Sequence, residues 1–175
     1  MFDAGTRVFS PARDKAAAAA MIQHNARTLR VLRAHVESLV TAVSARGPVS
    51  ASRPALDRLV DWCRLSLLPH AHAEEDTLYR PVAATEEGAL LIDGMLEEHR
   101  AIERLVHDLA HVADPVRAVA LAGALEAVVA GHLAKEDEQL LPLLVRSPYI
   151  ALAEALAGLG QLLVGGQPLP QLASA

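Results

Sequence analysis

An all-α fold, an antiparallel up-down-up-down four-helix bundle with an additional C-terminal helix, is what this 175-residue sequence predicts. Three observations carry that reading. Hydrophobic residues make up 52% of the chain and aromatics only 3%, so Ala, Leu and Val supply the apolar surface, a mix that favours helix over strand. Apolar residues recur at steps of three and four through the middle of the chain. Proline and glycine signals divide the chain into five segments with short connections, which makes consecutive helices antiparallel neighbours.

The first helix starts at Ser10-Pro11, runs to Arg46 and stops at Gly47-Pro48. Its buried face is expected to carry Met21, Ile22, His24, Leu29 and Leu32. The second opens near Ser52 and Pro54 and ends near Pro81, with a stripe of Leu56, Val60, Cys63, Leu67, His70, Glu74 and Leu78. Pro69 lies inside that stripe and is expected to bend the helix just before His70. The third runs from Thr85 or Gly88 to Val112, with Ile92, Met95, His99, Ile102, Val106 and Leu109 facing the core. Asp114-Pro115 caps and starts the fourth, which reaches Arg146 and carries Leu121, Leu125, Val128, His132 and Glu136. Ser147-Pro148 opens a fifth, apolar segment closed by Gly165-Gly166. Residues 1–146 thus form the bundle, 147–166 a C-terminal apolar helix and 167–175 a loose tail.

Composition narrows the function. A formal charge of −5 lends nothing to a nucleic-acid or anionic-membrane partner. The single cysteine, Cys63, excludes an internal disulfide and suits a reducing compartment. The Ala16–Ala20 run is too short to span a bilayer and no signal-peptide pattern precedes it. The expectation is a soluble, cytoplasmic protein.

The stripes are apolar except at His24, His70, Glu74, His99, His132 and Glu136. Polar groups in a core seam are costly unless something pairs with them. Two helices share one pattern, His70-x-x-x-Glu74-Glu75-x-x-Leu78 and His132-x-x-x-Glu136-Asp137-x-x-Leu140. A spacing of four puts His and Glu on one face, a turn apart. Depth is the stronger test. His24 lies 14 residues after Ser10 and His99 14 after Thr85, on helices entering at one end. His70 lies 11 residues before Pro81 and His132 15 before Ser147, on helices leaving at that same end. At about 1.5 Å per residue, all four histidines fall roughly 16–22 Å from that end, in a common layer. Four imidazoles and two carboxylates suit iron better than calcium or magnesium, and six side chains suit two metals better than one. Structural zinc sites usually take four ligands, often thiolates, and this chain has one cysteine. Glu74 and Glu136, each a turn beyond its histidine, can face each other and bridge the pair.

The segments Leu68-Pro69-His70-Ala71-His72-Ala73-Glu74-Glu75 and His132 to Pro142 resemble the two H-x-x-x-E motifs of the hemerythrin-like, or HHE cation-binding, domain. Gln23-His24 and Glu98-His99 are similar to its single-histidine helices, so the resemblance covers about residues 14–146. It implies two non-haem irons with a bridging oxo or hydroxo group, held by His24, His70, Glu74, His99, His132 and Glu136. It also implies a function with O2, NO or peroxide, in oxidative or nitrosative stress or iron homeostasis. Oxygen-carrying members place a second histidine one turn after the third-helix ligand. Glu103 stands there in this chain, which points to the members linked to NO and oxidative stress.

Other polar residues read more plainly. His72 falls off its stripe, toward solvent; His107 and His111 sit in the wrong layer, and His35 reads as a satisfied core histidine. Glu103 is either an extra ligand or one half of a rim salt bridge, Glu75 and Asp137 read as solvated or as supporting the ligands, and Tyr79 reads as packing. Arg27, Arg30 and Arg33 form a solvated stripe. Two other functions remain open on the residues alone: a ferritin-like or rubrerythrin-like di-iron oxidase, and a helical interaction module without metal chemistry. The apolar fifth segment is expected to fold back over the bundle or to pack against a second copy as a homodimer.

Overall fold

The computed structural model describes residues 10–45, 49–147 and 150–162, and within them it contains helices and no strand. Helix α1 is Pro11–Ser44. A short 3-10 turn, Val49–Ser52, leads into α2, a continuous helical rod over residues 53–83. Helix α3 is Glu86–His111, α4 is Pro115–Arg146 and α5 is Leu152–Leu162. Helix α1 packs on α2 and α4, and α3 packs on α4 and α2, which closes the four into a bundle. The Gly47-Pro48 stop, Pro148, Gly165-Gly166 and the tail over residues 167–175 lie outside the described residues. Helix α4 is long and apolar enough to cross a membrane by length and composition alone, yet it holds two buried polar side chains, His132 and Glu136.

The helix starts follow from their caps. Thr85 Oγ1 accepts from Gly88 N at 3.0 Å, and Asp114 Oδ1 accepts from Val116 N at 2.8 Å. Gly88 is there because nothing larger fits. A Cβ on it would stand 2.3 Å from Val82 Cγ1 and 2.6 Å from the Val82 carbonyl oxygen.

Pro69 does not interrupt α2. Cys63–Leu67 forms a π turn, in which Leu68 N–H donates to the Cys63 carbonyl five residues back. The same solution recurs at Glu75–Tyr79 before Pro81 and at Glu136–Leu140 before Pro142. Each π turn ends two residues before its proline. Proline cannot donate to the carbonyl four residues back, and its ring collides with that carbonyl. One extra residue in the turn widens the backbone and relieves both problems.

The core falls into two clusters with the polar layer between them. One gathers Leu32, Leu39, Leu59, Cys63, Val106, Leu109, Leu125 and their neighbours. The other gathers Met21, Leu78, Tyr79, Ile92, Met95, Leu140, Leu141 and Leu144, together with Ile150, Leu152, Ala153 and Leu156. Helix α5 therefore folds back onto the bundle and supplies part of the second cluster; side chains beyond Ala157, including Leu159 and Leu163, lie outside the described residues. Ser147 ends α4, and the helix begins at Leu152. Asp14 of α1 caps that helix, with Oδ1 accepting from Ala153 N at 2.9 Å.

Two stripe assignments change. Ile22 is 42% exposed, because the buried face of α1 runs through Ala17, Met21, Asn25 and Leu32 instead. On α4 the seam is Ala118, Ala122, Leu125, Val129 and His132, with Leu121 and Val128 packed at its edge.

Candidate metal centre

The six stripe residues meet between the two apolar clusters. His70, Glu74, His99, His132 and Glu136 are buried, whereas His24 is half-buried. The His24 and His70 rings lie 4.7 Å apart, centre to centre, and the His99 and His132 rings 4.5 Å apart. His99 Nε2 and His132 Nε2 face each other at 3.0 Å. Glu74 lies between the two histidine pairs. Its Oε1 is 2.8 Å from His70 Nε2 and its Oε2 is 3.8 Å from His99 Nε2. Glu136 Oε1 is 3.7 Å from His132 Nε2. Glu74, His99 and His132 each offer a donor atom within 4.8 Å of the others, a group able to hold one metal ion.

The donor set is short of partners within the protein. His70 Nδ1 and Nε2, Glu74 Oε1 and Asn25 Oδ1 are buried without a hydrogen bond. His70 Nε2 and Glu74 Oε1 are close, but poorly aligned as donor and acceptor. Buried imidazoles and carboxylates gathered with too few hydrogen bonds among themselves have the donor chemistry to hold a cation.

Charge and burial set the protonation of these groups against each other. Burial, and then the charge of Glu136, push the Glu74 carboxyl up to about 7. Burial acts the same way on Glu136, but the neighbouring His132, then His70 and the hydrogen bond from Tyr79, outweigh it and leave that carboxyl low. His24 is pushed down to about 4 by burial, then by His70 and Arg27. Burial also lowers His99, helped by His132. His70 and His132 end above the ordinary value despite burial, held there by Glu74 and by Glu136 respectively.

A supporting layer surrounds the donors, and the sequence reading missed part of it. Asn25 Nδ2 donates to Glu136 Oε2 at 3.0 Å and to Asp137 Oδ1 at 2.8 Å. The signal was available, since Asn25 is a polar residue in the Met21–Leu32 stripe. Glu75 Oε1 accepts from His99 Nδ1 at 2.7 Å, and Glu98 Oε2 from His132 Nδ1 at 3.1 Å. Lys135 pairs with the other oxygen of Glu98. Tyr79 does more than pack. Its hydroxyl donates to Glu136 Oε1 at 3.1 Å and lies 3.2 Å from His132 Nε2 and 3.4 Å from His99 Nε2. In a regular helix Leu78 is the residue one turn beyond Glu74; the extra residue of the π turn over Glu75–Tyr79 swings Tyr79 to the site as well.

The remaining candidates lie outside this layer. His72 Nε2 pairs with Glu103 Oε1 at 2.6 Å on the surface, so Glu103 is the rim ion pair. His107 and His111 are exposed at the end of α3, where His111 Nδ1 donates to the His107 carbonyl at 2.7 Å. His35 is only half-buried and lies against Trp62, with ring centres 5.6 Å apart. Arg33 pairs with Glu126 at 3.0 Å. Cys63 is buried and its thiol is pushed up to about 12 by that burial, which makes it inert.

Comparison with curated proteins and with solved structures returns no match. The sequence model of the hemerythrin HHE cation-binding domain matches residues 16–144, a span that runs from the first turns of α1 almost to the end of α4 and takes in every residue of the buried His/Glu layer. With that layer lying between the four helices and Glu74, His99 and His132 offering donor atoms close enough to hold an ion, the chain belongs to the hemerythrin HHE cation-binding domain family.

Proposed function

We propose that this chain is a non-haem di-iron protein that binds, senses or reduces a small oxidant such as O2, NO or peroxide. The observation that carries the proposal is the cluster of buried donors that make no aligned hydrogen bond, His70 Nδ1, His70 Nε2 and Glu74 Oε1, beside the facing Nε2 atoms of His99 and His132. Two histidine pairs with Glu74 between them suit two ions: His24 and His70 hold one, His99 and His132 the other. Glu74 turns one oxygen toward each pair, and Glu136, steadied by Asn25 and Tyr79, completes the set. Iron bound there supplies a redox-active Lewis acid with coordination positions left for a small electron-rich ligand. The chain's own contribution is to orient the donors, to exclude bulk water with an apolar cluster on either side, and to keep the hydroxyl of Tyr79 within reach of the centre.

Metal content tests the proposal directly. Iron-loaded protein is expected to hold about two irons per chain, the capacity of a six-donor set. Glu74→Ala and Glu136→Ala are expected to lose most of that iron while circular dichroism stays helical, because the apolar stripes rather than the ligands hold the bundle. His72→Ala and His107→Ala, both outside the layer, are expected to keep it. A wild-type content of one iron or none, or equal loss from the two controls, overturns the assignment.

A further inference from the structure

We propose that the two subsites are unequal: the His99/His132 subsite loads first and holds its metal more tightly, because Glu75 and Glu98 brace its two imidazoles while those of the His24/His70 subsite stand unbraced. The inference rests on the two-metal reading above.

The asymmetry lies in the second nitrogen of each ring. A histidine that coordinates through Nε2 needs its proton on Nδ1, and an acceptor at Nδ1 fixes that tautomer, locks the ring plane and raises the basicity of the donor nitrogen. His99 has such an acceptor in Glu75 Oε1 at 2.7 Å, and His132 has one in Glu98 Oε2 at 3.1 Å. Both acceptors are carboxylates, the strongest partners available for this task. Lys135 holds Glu98 in place through its other oxygen. On the opposite side, His70 Nδ1 is buried with no partner. The polar contact of His24 is a long one, with Thr28 Oγ1 3.4 Å from Nε2. His24 is also half-buried where the other three histidines are buried, so water reaches its side of the centre more readily.

These differences act in one direction. The braced pair meets a metal ion already in the geometry and tautomer it needs. The unbraced pair must fix two rings on binding and leaves the Nδ1–H of His70 without an acceptor, a cost that persists in the bound state. Glu74 belongs to both subsites, with one oxygen toward each, so it does not distinguish them. The discriminating residues are therefore Glu75 and Glu98. They are positioning residues, partly exposed on the outer side of the rings they hold. The metal bound by His24 and His70 is the one that leaves first to a chelator.

Titration of metal-free protein with cobalt(II) against a competing chelator tests this, read by visible absorption. Cobalt(II) reports coordination optically. The full chain is expected to bind two ions in separable steps. Glu98→Gln and Glu75→Gln, which keep an acceptor but lose its charge, are each expected to weaken the first step about tenfold or more and to leave the second unchanged. His24→Ala protein is expected to retain one cobalt at least about tenfold more tightly than His132→Ala protein. Equal retention by those two proteins, or equal weakening of both steps by the glutamine variants, overturns the ordering while the two-metal reading stands. Fewer than two cobalt ions in the full chain overturns both. Should His132→Ala fail to fold, the glutamine variants decide the question, since neither residue belongs to an apolar cluster.

Discussion

Glu74 is the residue where the forces in this protein conflict most. It is 1% exposed and shares its pocket with a second buried carboxylate, Glu136. Burial, and then that neighbouring charge, raise its carboxyl from 4.5 to about 7. Between those values the folded metal-free chain keeps a proton that an unfolded chain has released. The group thus favours the folded metal-free form fully below pH 4.5, and this contribution is lost as the pH rises through about 7. A metal ion requires the ionised carboxylate and unprotonated imidazoles. The raised His70 and His132 act in the same sense as Glu74, because each must also give up a proton. Metal uptake is therefore expected to release more protons at about pH 6 than at about pH 8, and affinity to climb over that interval. Calorimetric titration in two buffers of different ionisation enthalpy measures the release. Equal release at both pH values would show that Glu74, His70 and His132 carry no more protons at about pH 6 than at about pH 8 in the metal-free chain.

At the scale of the element, the prolines and Gly88 shape the helices around the site. All three π turns accommodate a proline, and two of them adjoin a motif glutamate: Glu75–Tyr79 follows Glu74, and Glu136–Leu140 begins at Glu136. The first of these explains why Tyr79 reaches the donors, which a regular 3.6-residue period did not predict. Where α2 turns into α3, Gly88 allows close approach to Val82. Alanine at that position gains helix propensity worth about 1 kcal/mol, but its methyl group would overlap the Val82 carbonyl oxygen, 2.6 Å from the Cβ position. Backbone cannot yield as a side chain does. Gly88→Ala is expected to cost about 1–3 kcal/mol net, and Gly94→Ala, where a Cβ meets nothing within 4 Å, to be neutral or stabilising. Thermal unfolding of the two variants compares them, and equal melting temperatures would show that the α2–α3 turn relaxes freely.

Across the whole molecule, α5 closes the second apolar cluster. Ile150, Leu152, Ala153 and Leu156 are buried against residues that include Met21, Leu78, Tyr79 and Met95, and Asp14 ties the start of the helix to α1. Chain truncation after Arg146 removes that cover and exposes the face next to Tyr79. The shortened protein is expected to melt at a lower temperature and to surrender its metal to a chelator faster, with the His24/His70 ion still leaving first. Stopped-flow chelation follows the release. Unchanged melting and unchanged release rates would show that α5 neither supports nor shields the centre.

The sequence by itself determined the helices, their order and the buried layer of histidines and glutamates. Those properties depend on local periodicity and on distance along a rod, and both survive without knowledge of neighbours. His70 and Glu74 share a face because 3.6 residues make a turn, and His24, His99 and His132 share their depth because each residue adds about 1.5 Å. Tertiary structure alone decided which side chains stand behind the donors. Glu98 is polar, sits beside a histidine and has nothing in its own helix to mark it; only the approach of α4 sets it against His132 and Lys135. Asn25 meets Glu136 and Asp137 across more than a hundred residues of sequence, and Asp14 meets Ala153 in the same way. Tyr79 depended on a π turn, whose extra residue breaks the period used to read the stripe. Such contacts arise when separate helices come together, and no spacing within one helix encodes them.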